Sequence, residues 1–238
     1  MELSKRLQAV VNLVSPGNVV ADIGCDHGYV SIYLIEQKIA PHVIAMDVNK
    51  GPLERANMHI ASHGLASYIE VRLSDGTQNL REREVDTMIC AGMGGRLMVQ
   101  ILQEGASKVV CMKELVLQPQ SEVFLVRAYL REIGFAIVEE DMIFEEEKYY
   151  PMMRAIPKKM EQQMSEEQMP EVYDIYGKLL IQKKHPVFMQ FLALQQKKTE
   201  KLILDLTNKN QQTEKQRDRI MELHKELEQI KAARYLMS

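Results

Sequence analysis

The 238-residue chain is 46% hydrophobic and 26% charged, with a formal net charge of −3, the composition of an ordinary soluble globular protein able to bury a full α/β core and carry an appendage. No apolar run approaches the roughly 20 residues of a membrane helix, MELSKRLQAVV lacks the apolar core and cleavage site of a secretory leader, and the three cysteines (Cys25, Cys90, Cys111) have neither CxxC nor His-rich spacing, which argues against structural zinc and for a reducing, cytoplasmic setting. Charge is uneven: residues 1–158 hold 16 Lys and Arg against 21 Asp and Glu, residues 159–238 hold 14 against 12, and residues 178–225 hold 11 against 5.

Near the N-terminus Leu7, Val10, Val11 and Val14 recur at helical spacing. NVVADIG, HVIAMDV, YIEVRLSD, DTMICAGM and ELVLQP then read as five buried strands with helical segments between them. Such alternation predicts a parallel, doubly wound α/β sheet. AIVEEDMIFEEEKYYPMMRAIP supplies two more strands around an acidic bend, too close for a crossover helix, so this last pair is predicted antiparallel.

The character changes at KKMEQQMSEEQMPEVYD, a polar, Met- and Gln-rich linker that sets the expected domains at 1–158 and 159–238. PEVYDIYGKLLIQKK predicts one helix, begun by Pro170 and stopped before Pro186. Beyond it Phe188, Leu192, Leu202, Leu206, Ile220, Leu223, Leu227 and Ile230 mark an apolar seam interrupted by TNKNQQT. A single straight coiled coil would bury Lys209, Thr213 and Gln216. The prediction is therefore an antiparallel helical hairpin turning around Asn208 to Gln212, with a long parallel dimer as the alternative. The basic surplus of this part suits a surface that meets a polyanion, or else a solvated helical face.

DIGCDHG follows the first strand. A strand that ends in Gly24-x-x-x-Gly28 and enters a helix lets backbone approach a ligand closely. The dinucleotide fingerprint needs a third glycine, and Asp26 and His27 stand where pyrophosphate would lie. The second strand ends in Asp47, 25 residues after Asp22 and followed by Val48 and Asn49. A carboxylate there can accept from both ribose hydroxyls of an adenosine. The third strand ends Ser74-Asp75-Gly76, placed to receive the adenine amine. Each acid alone also reads as a helix cap. Three at successive strand ends fit S-adenosyl-L-methionine, whose cationic methionyl end tolerates Asp22 and Asp26.

LSKRL, DIGCDHGYVSIYL, AMDVNKGPLERA, RLSDGT, AGMGG, LQP and KYYPM together resemble, in content and order, the bacterial tRNA (adenine-22, N1)-methyltransferases. The resemblance covers residues 1–157 motif by motif, while the helical tail matches in kind. It implies a Rossmann-like class I methyltransferase sheet, five parallel strands plus a C-terminal antiparallel hairpin, followed by an α-helical coiled-coil hairpin. It also implies methylation of N1 of adenine 22 in the D-arm region of tRNA, with S-adenosyl-L-homocysteine as the second product. The protein is expected to be a monomer without metal.

N1 of adenine carries an in-plane lone pair, so the reaction needs positioning more than a strong base. Ala91, Gly92, Met93, Gly94 and Gly95 offer exposed backbone on which a flat base can lie. Asp26, His27 and Gln118, with Pro119 next to it, are the candidates to accept from the adenine amine or take a proton; His27 as a turn-bonded structural histidine is the alternative. Tyr29 reads as either a lid on the methionyl group or core. One of Tyr149 and Tyr150 can stack on the base, since strand side chains alternate. Lys5 and Arg6 lie beside the site, and Lys183, Lys184, Lys197, Lys198, Lys201, Lys215, Arg217 and Arg219 are expected on tRNA phosphates. Methylation of a small molecule and a non-catalytic cofactor-binding role for a partner-recruiting hairpin are the competing readings.

Overall fold

The computed structural model describes residues 1–158, 170–208 and 213–238. The chain divides into two compact units, Met1–Glu167 and Gln168–Ser238. The expected boundary at 158/159 and residues 159–169 of the predicted polar linker (158–174) lie outside those described, while Glu171–Asp174 at its end are helical.

The first unit is one seven-stranded sheet in the order β3-β2-β1-β4-β5-β7-β6. Its parallel strands are β1 (Val20–Ile23), β2 (Val43–Asp47), β3 (Ile69–Leu73), β4 (Thr87–Gly94) and β5 (Glu114–Ser121). β1 and β2 are buried at every position, because helices cover both faces and apolar runs need no alternation there. β3 lies at the sheet edge and is buried only at Ile69.

One core layer forms where α1 (Lys5–Asn12), α2 (Tyr29–Glu36) and α3 (Lys50–Ser62) pack, around Val10, Ile32, Leu34, Ala56 and Ile60. The other lies under α4 (Gly95–Glu104), the short α5 (Ala106–Val109) and α6 (Val123–Glu132), around Met88, Met98, Leu102, Leu117 and Leu130.

The predicted terminal hairpin is present as β6 (Phe135–Glu145) and β7 (Lys148–Pro157), paired antiparallel. β7 also pairs antiparallel with β5, so the last strand inserts inward and β6 takes the edge. The bend is a two-residue turn with Glu146 and Glu147 both at positive φ, the twist-matched turn of tight hairpins. Below it, α6 and β6 share a buried ion pair: Arg127 Nε donates to Glu140 Oε1 at 2.9 Å.

In the second unit the predicted single helix is two, α7 (Glu171–Tyr176) and α8 (Lys178–Gln182), broken at Gly177, whose φ of 92° no helix accommodates. α9 (Pro186–Thr207) and α10 (Glu214–Tyr235) then form the antiparallel hairpin. Lys184 Nζ near the start of α9 reaches the Ser238 carbonyl, and Arg234 reaches Gln196. Residues 209–212 of the predicted turn lie outside those described, and the long parallel dimer is not needed to cover the seam.

Phe188, Leu192, Leu223, Leu227 and Ile230 are buried as expected, joined by Thr199, Val172 and Leu180. Leu202 is instead 47% exposed. The short helices close only the base of the hairpin, so the seam beyond Thr199 has fewer elements to pack on. A Thr213 capping box starts α10. Among the described residues no helix is long and apolar enough to cross a membrane.

Glu140→Ala should lower the unfolding free energy of the first unit by about 3–5 kcal/mol, because it strands a buried guanidinium. The double change Arg127→Met, Glu140→Leu should recover most of that loss in chemical denaturation.

Candidate functional site

The carboxyl ends of β1, β2 and β4, with the turn after β3, open into one cavity of about 480 Å³. This is the size of a nucleoside-type ligand site, and the strand ends of a doubly wound sheet are where such ligands bind. Asp22, Gly24, Asp26, His27, Tyr29, Asp47, Val48, Asn49, Ser74, Asp75, Gly76, Ala91, Gly92 and Met93 all line it, as does Arg6. Gly28 stands behind the wall. It caps α2 at φ 75°, and a Cβ there would press on Ala56 at 3.2 Å.

Two carboxylates sit deep. Asp22 is 4% exposed and accepts a 2.7 Å bond from the Ser31 hydroxyl on α2. Burial pushes its carboxyl up to about 6, against the lowering effect of Ser31, with the Asp47 charge adding to the rise. Asp47 is nearly as buried and accepts from the Asn49 N–H at 2.9 Å, which folds the turn out of β2. Between them the Cys25 thiol is pushed far up by burial and by the neighbouring carboxylates, so it stays neutral. Cys90 beneath is pushed to about 12 by burial. Neither is a reactive thiolate.

Gly24 adopts φ 75°, and a Cβ there would collide with the Met93 methyl. Glycine thus leaves the cavity floor open between β1 and β4. The Ser74 hydroxyl donates to Gly76 O and accepts from Asn79 N, so it shapes its turn, while Asp75 beside it is exposed.

Asp26 is held at φ 49°, its carboxylate open to solvent, 3.6 Å from His27 Nε2 and 3.9 Å from Arg55 Nη2. The His27, Tyr29 and His59 rings stack, at 5.4 Å between His27 and Tyr29 and 5.3 Å between Tyr29 and His59. His59 Nδ1 bonds the His27 carbonyl at 3.0 Å, while His27 Nδ1 is buried without a partner. Tyr29 is therefore an exposed rim residue, not core.

The glycine cluster departs from expectation. β4 runs through it to Gly94, with irregular register against β5 at Ala91, Met93 and Gly94. Gly95 opens α4, and a Cβ there would lie 2.6 Å from the carbonyls of Ser121 and Glu122. Gly94 and Gly95 pack α4 against the end of β5 and do not line the cavity. Of this run, Ala91, Gly92 and Met93 line it.

Gln118 and Pro119 are also buried and off the wall. Gln118 Oε1 accepts from Arg6 Nη1 at 3.0 Å and its Nε2 donates to the Pro119 carbonyl at 3.2 Å. With its oxygen already engaged, it is ill placed to receive an adenine amine. The tyrosines alternate as expected: Tyr150 lies under the Arg6 guanidinium and Tyr149 packs on Phe144. Lys5 is exposed outside the cavity, its N–H bonded to Glu145.

The basic residues of the second unit, Lys183, Lys184, Lys197, Lys198, Lys201, Lys215, Arg217 and Arg219, are all exposed. Arg219 is held by Glu222 and Glu226, and Lys184 by the chain end. Those two are the least available to an outside anion. Sequence reasoning missed Leu7, Ile23, Cys25, Val30, Leu97, Ile101 and Gln120 in the lining. Only Leu97 and Ile101, one turn apart on α4, carried a signal.

A family model described as a methyltransferase domain matches residues 3–153. The tRNA (adenine(22)-N(1))-methyltransferase of Bacillus subtilis is 36% identical over 155 residues, which span 65% of this chain and 65% of that protein, just under two thirds of its length. Among solved structures, a Streptococcus pneumoniae protein described as a putative tRNA (m1A22) methyltransferase is 32% identical with a TM-score of 0.84, covering 98% of this chain and 99% of that one. It has also been solved in complex with S-adenosyl-L-methionine. The B. subtilis M1A22 tRNA methyltransferase TrmK is 28% identical with a TM-score of 0.85, covering 100% of this chain and 99% of its own.

The raised Asp22 carboxyl has a stability consequence. Its ionised form is penalised in the folded state only, so the cost is complete above about pH 6 and absent below the ordinary value of 3.8. Asp22→Asn should stabilise the ligand-free protein at pH 7.5 by up to about 3 kcal/mol, and the advantage should vanish by pH 3.5. Thermal melts at the two pH values measure it.

Proposed function

We infer that this chain, which belongs to the methyltransferase-domain family and within it to the TrmK-like tRNA (adenine(22)-N(1))-methyltransferases, methylates N1 of an adenine in tRNA. S-adenosyl-L-methionine is the donor, and the relatives' names put the target at adenine 22. One observation carries the reading: a nucleoside-sized cavity with two buried carboxylates and an uncharged wall at Ala91–Met93.

The residues present fit the donor. The floor at Gly24 is open where a Cβ would fill it, Asp22 offers negative charge to a cationic amino-acid end, and Asp47 offers two acceptor oxygens to a ribose diol. Ser74, Asp75 and Gly76 would border the adenine, and Val48 and Asn49 would flank the ribose.

When bound, the donor would supply an electrophilic sulfonium methyl, to which the N1 lone pair would bond as the carbon–sulfur bond breaks and S-adenosyl-L-homocysteine leaves. The positive charge thereby passes from sulfur to the base. The protein's part is to align the two and to tolerate that charge. The Asp26 carboxylate at the rim is suited to face the base cation or its amine, steadied by His27 and Arg55. The His27, Tyr29 and His59 stack gives that rim a stiff edge. N1 lies on the Watson–Crick edge, so the adenine must leave its stack to reach the wall.

The second unit supplies the RNA surface in this reading. Lys197, Lys198 and Lys201 fall on one side of α9 by helical spacing, with Lys215 and Arg217 on α10. We place the enzyme in the cytoplasm, acting as a monomer.

Incubation with unmodified tRNA and methyl-labelled donor, followed by digestion, should put the label in 1-methyladenosine. Clear donor binding with no transfer to tRNA would sink the reading. Asp47→Ala should weaken donor binding by about 1–3 kcal/mol in calorimetry; unchanged affinity would remove the ribose assignment. Replacing Lys197, Lys198 and Lys201 together with Ala should weaken tRNA binding evenly across sequences and flatten its log–log salt slope by about 2–3, leaving donor affinity intact.

A further inference from the structure

Arg6 is the cation of the cavity wall, and its seat is unusually built. It sits on the first turn of α1, whose N–H groups are already taken. Lys5 N and Arg6 N donate to the Glu145 carboxylate at 2.7 and 3.2 Å, and Leu7 N donates to Ser4. The helix start is thereby pinned to the end of β6, which fixes where the Arg6 side chain departs. Its guanidinium lies over the Tyr150 ring, 5.6 Å from the centroid. Nη1 donates to Gln118 Oε1 at 3.0 Å and stands beside Gly92, where a Cβ would come within 3.3 Å of it.

Every one of those side-chain partners is neutral. Among the described residues no carboxylate lies within ion-pair distance of the Arg6 guanidinium. Three other shielded arginines of this unit differ: Arg127 pairs with Glu140, Arg154 with Glu114 and Glu139, and Arg72 with Glu70 and Glu84. Arg6 is half-buried, lines the cavity and keeps its full charge. A guanidinium held by a π face and an amide oxygen is preorganised, with donors left over for an oxyanion.

We propose that Arg6, seated on Gln118 and Tyr150, forms an oxyanion site in the cavity, distinct from the Asp22 and Asp47 positions. The oxyanion is the carboxylate at the methionyl end of the donor or a phosphodiester next to the target base. The proposal rests on the methyltransferase reading and assigns Gln118 the role of a positioning residue for Arg6.

The test uses the full-length chain and three variants, Arg6→Ala, Arg6→Lys and Gln118→Glu, with melting curves to verify folding. Gln118→Glu keeps the arginine in place but neutralises it with an internal ion pair. Calorimetry compares S-adenosyl-L-methionine with 5′-deoxy-5′-methylthioadenosine, which lacks the amino-acid end. Methyl transfer is followed against tRNA concentration at saturating donor.

If the anion is the donor's carboxylate, Arg6→Ala and Gln118→Glu lose about tenfold or more in donor affinity and leave the truncated nucleoside unchanged. If it is a phosphodiester, donor affinity holds and KM for tRNA rises about tenfold with kcat little altered. In either case Arg6→Lys recovers part of the loss. The proposal is overturned if donor and truncated nucleoside weaken in parallel, since Arg6 would then only support the pocket. It is equally overturned if neither donor affinity nor tRNA KM moves twofold in folded variants. Failure of the wider reading looks different: the unaltered protein itself would methylate no tRNA.

Discussion

Near the end of β1 stands a carboxylate that little water reaches. Asp22 keeps its charge near neutral pH through the Ser31 hydroxyl, against a burial cost that raises its ionisation to about 6. That bond ties the tip of β1 to α2, so the turn between them cannot relax without exposing the charge. Gly24 and Asp26 then take left-handed backbone to fit the short turn, and Cys25 is held neutral beside the acids. A buried anion without a partner of opposite charge is costly by itself. It is reasonable only where a cationic ligand completes the site.

Charge within the cavity is segregated. Asp22 and Asp47 hold the deep end under β1 and β2, while Arg6 holds the opposite wall near β4 and β5. Between them run Ala91, Gly92 and Met93, with no charged side chain. Under the proposed reading such a division serves both a sulfonium donor and a polyanionic acceptor, because one uniform potential would repel one of the two. The pole at Arg6 depends on the far edge of the sheet: β6 supplies Glu145 for α1, and β7 supplies Tyr150. The inward position of β7 is thus a feature of the site as well as of the fold.

The helical unit follows another logic. Its apolar packing concentrates at the base, where α7 and α8 meet α9 and α10 around Phe188. Outward from there the hairpin is thinner, polar and studded with lysines. Exposed positive charge on a long arm contributes mainly sequence-independent attraction to phosphates, which suits the holding of a large RNA. In the proposed reading, choosing the base falls to the cavity.

The alternation of β-branched runs with amphipathic stretches was enough to predict the parallel sheet, its antiparallel end and the helical hairpin, since those depend on local periodicity. The acids at strand ends were equally legible: the pattern marks where each strand stops, and Asp22, Asp47 and Asp75 fall at or just beside those ends. Other features were not legible. The break at Gly177 and the exposure of Leu202 depend on how many elements cover a seam. The role of Gly95 depends on the nearby carbonyls of Ser121, at the end of β5, and of Glu122 just after it. Gln118 looked like an acceptor for a base until Arg6, 112 positions away in sequence, was found on its oxygen. Periodicity and turn chemistry act over a few residues, so the chain's letters determined its elements and the acids at their ends. Contacts across more than a hundred residues decide which of those groups remain free for a ligand, and only the tertiary structure brings those partners together.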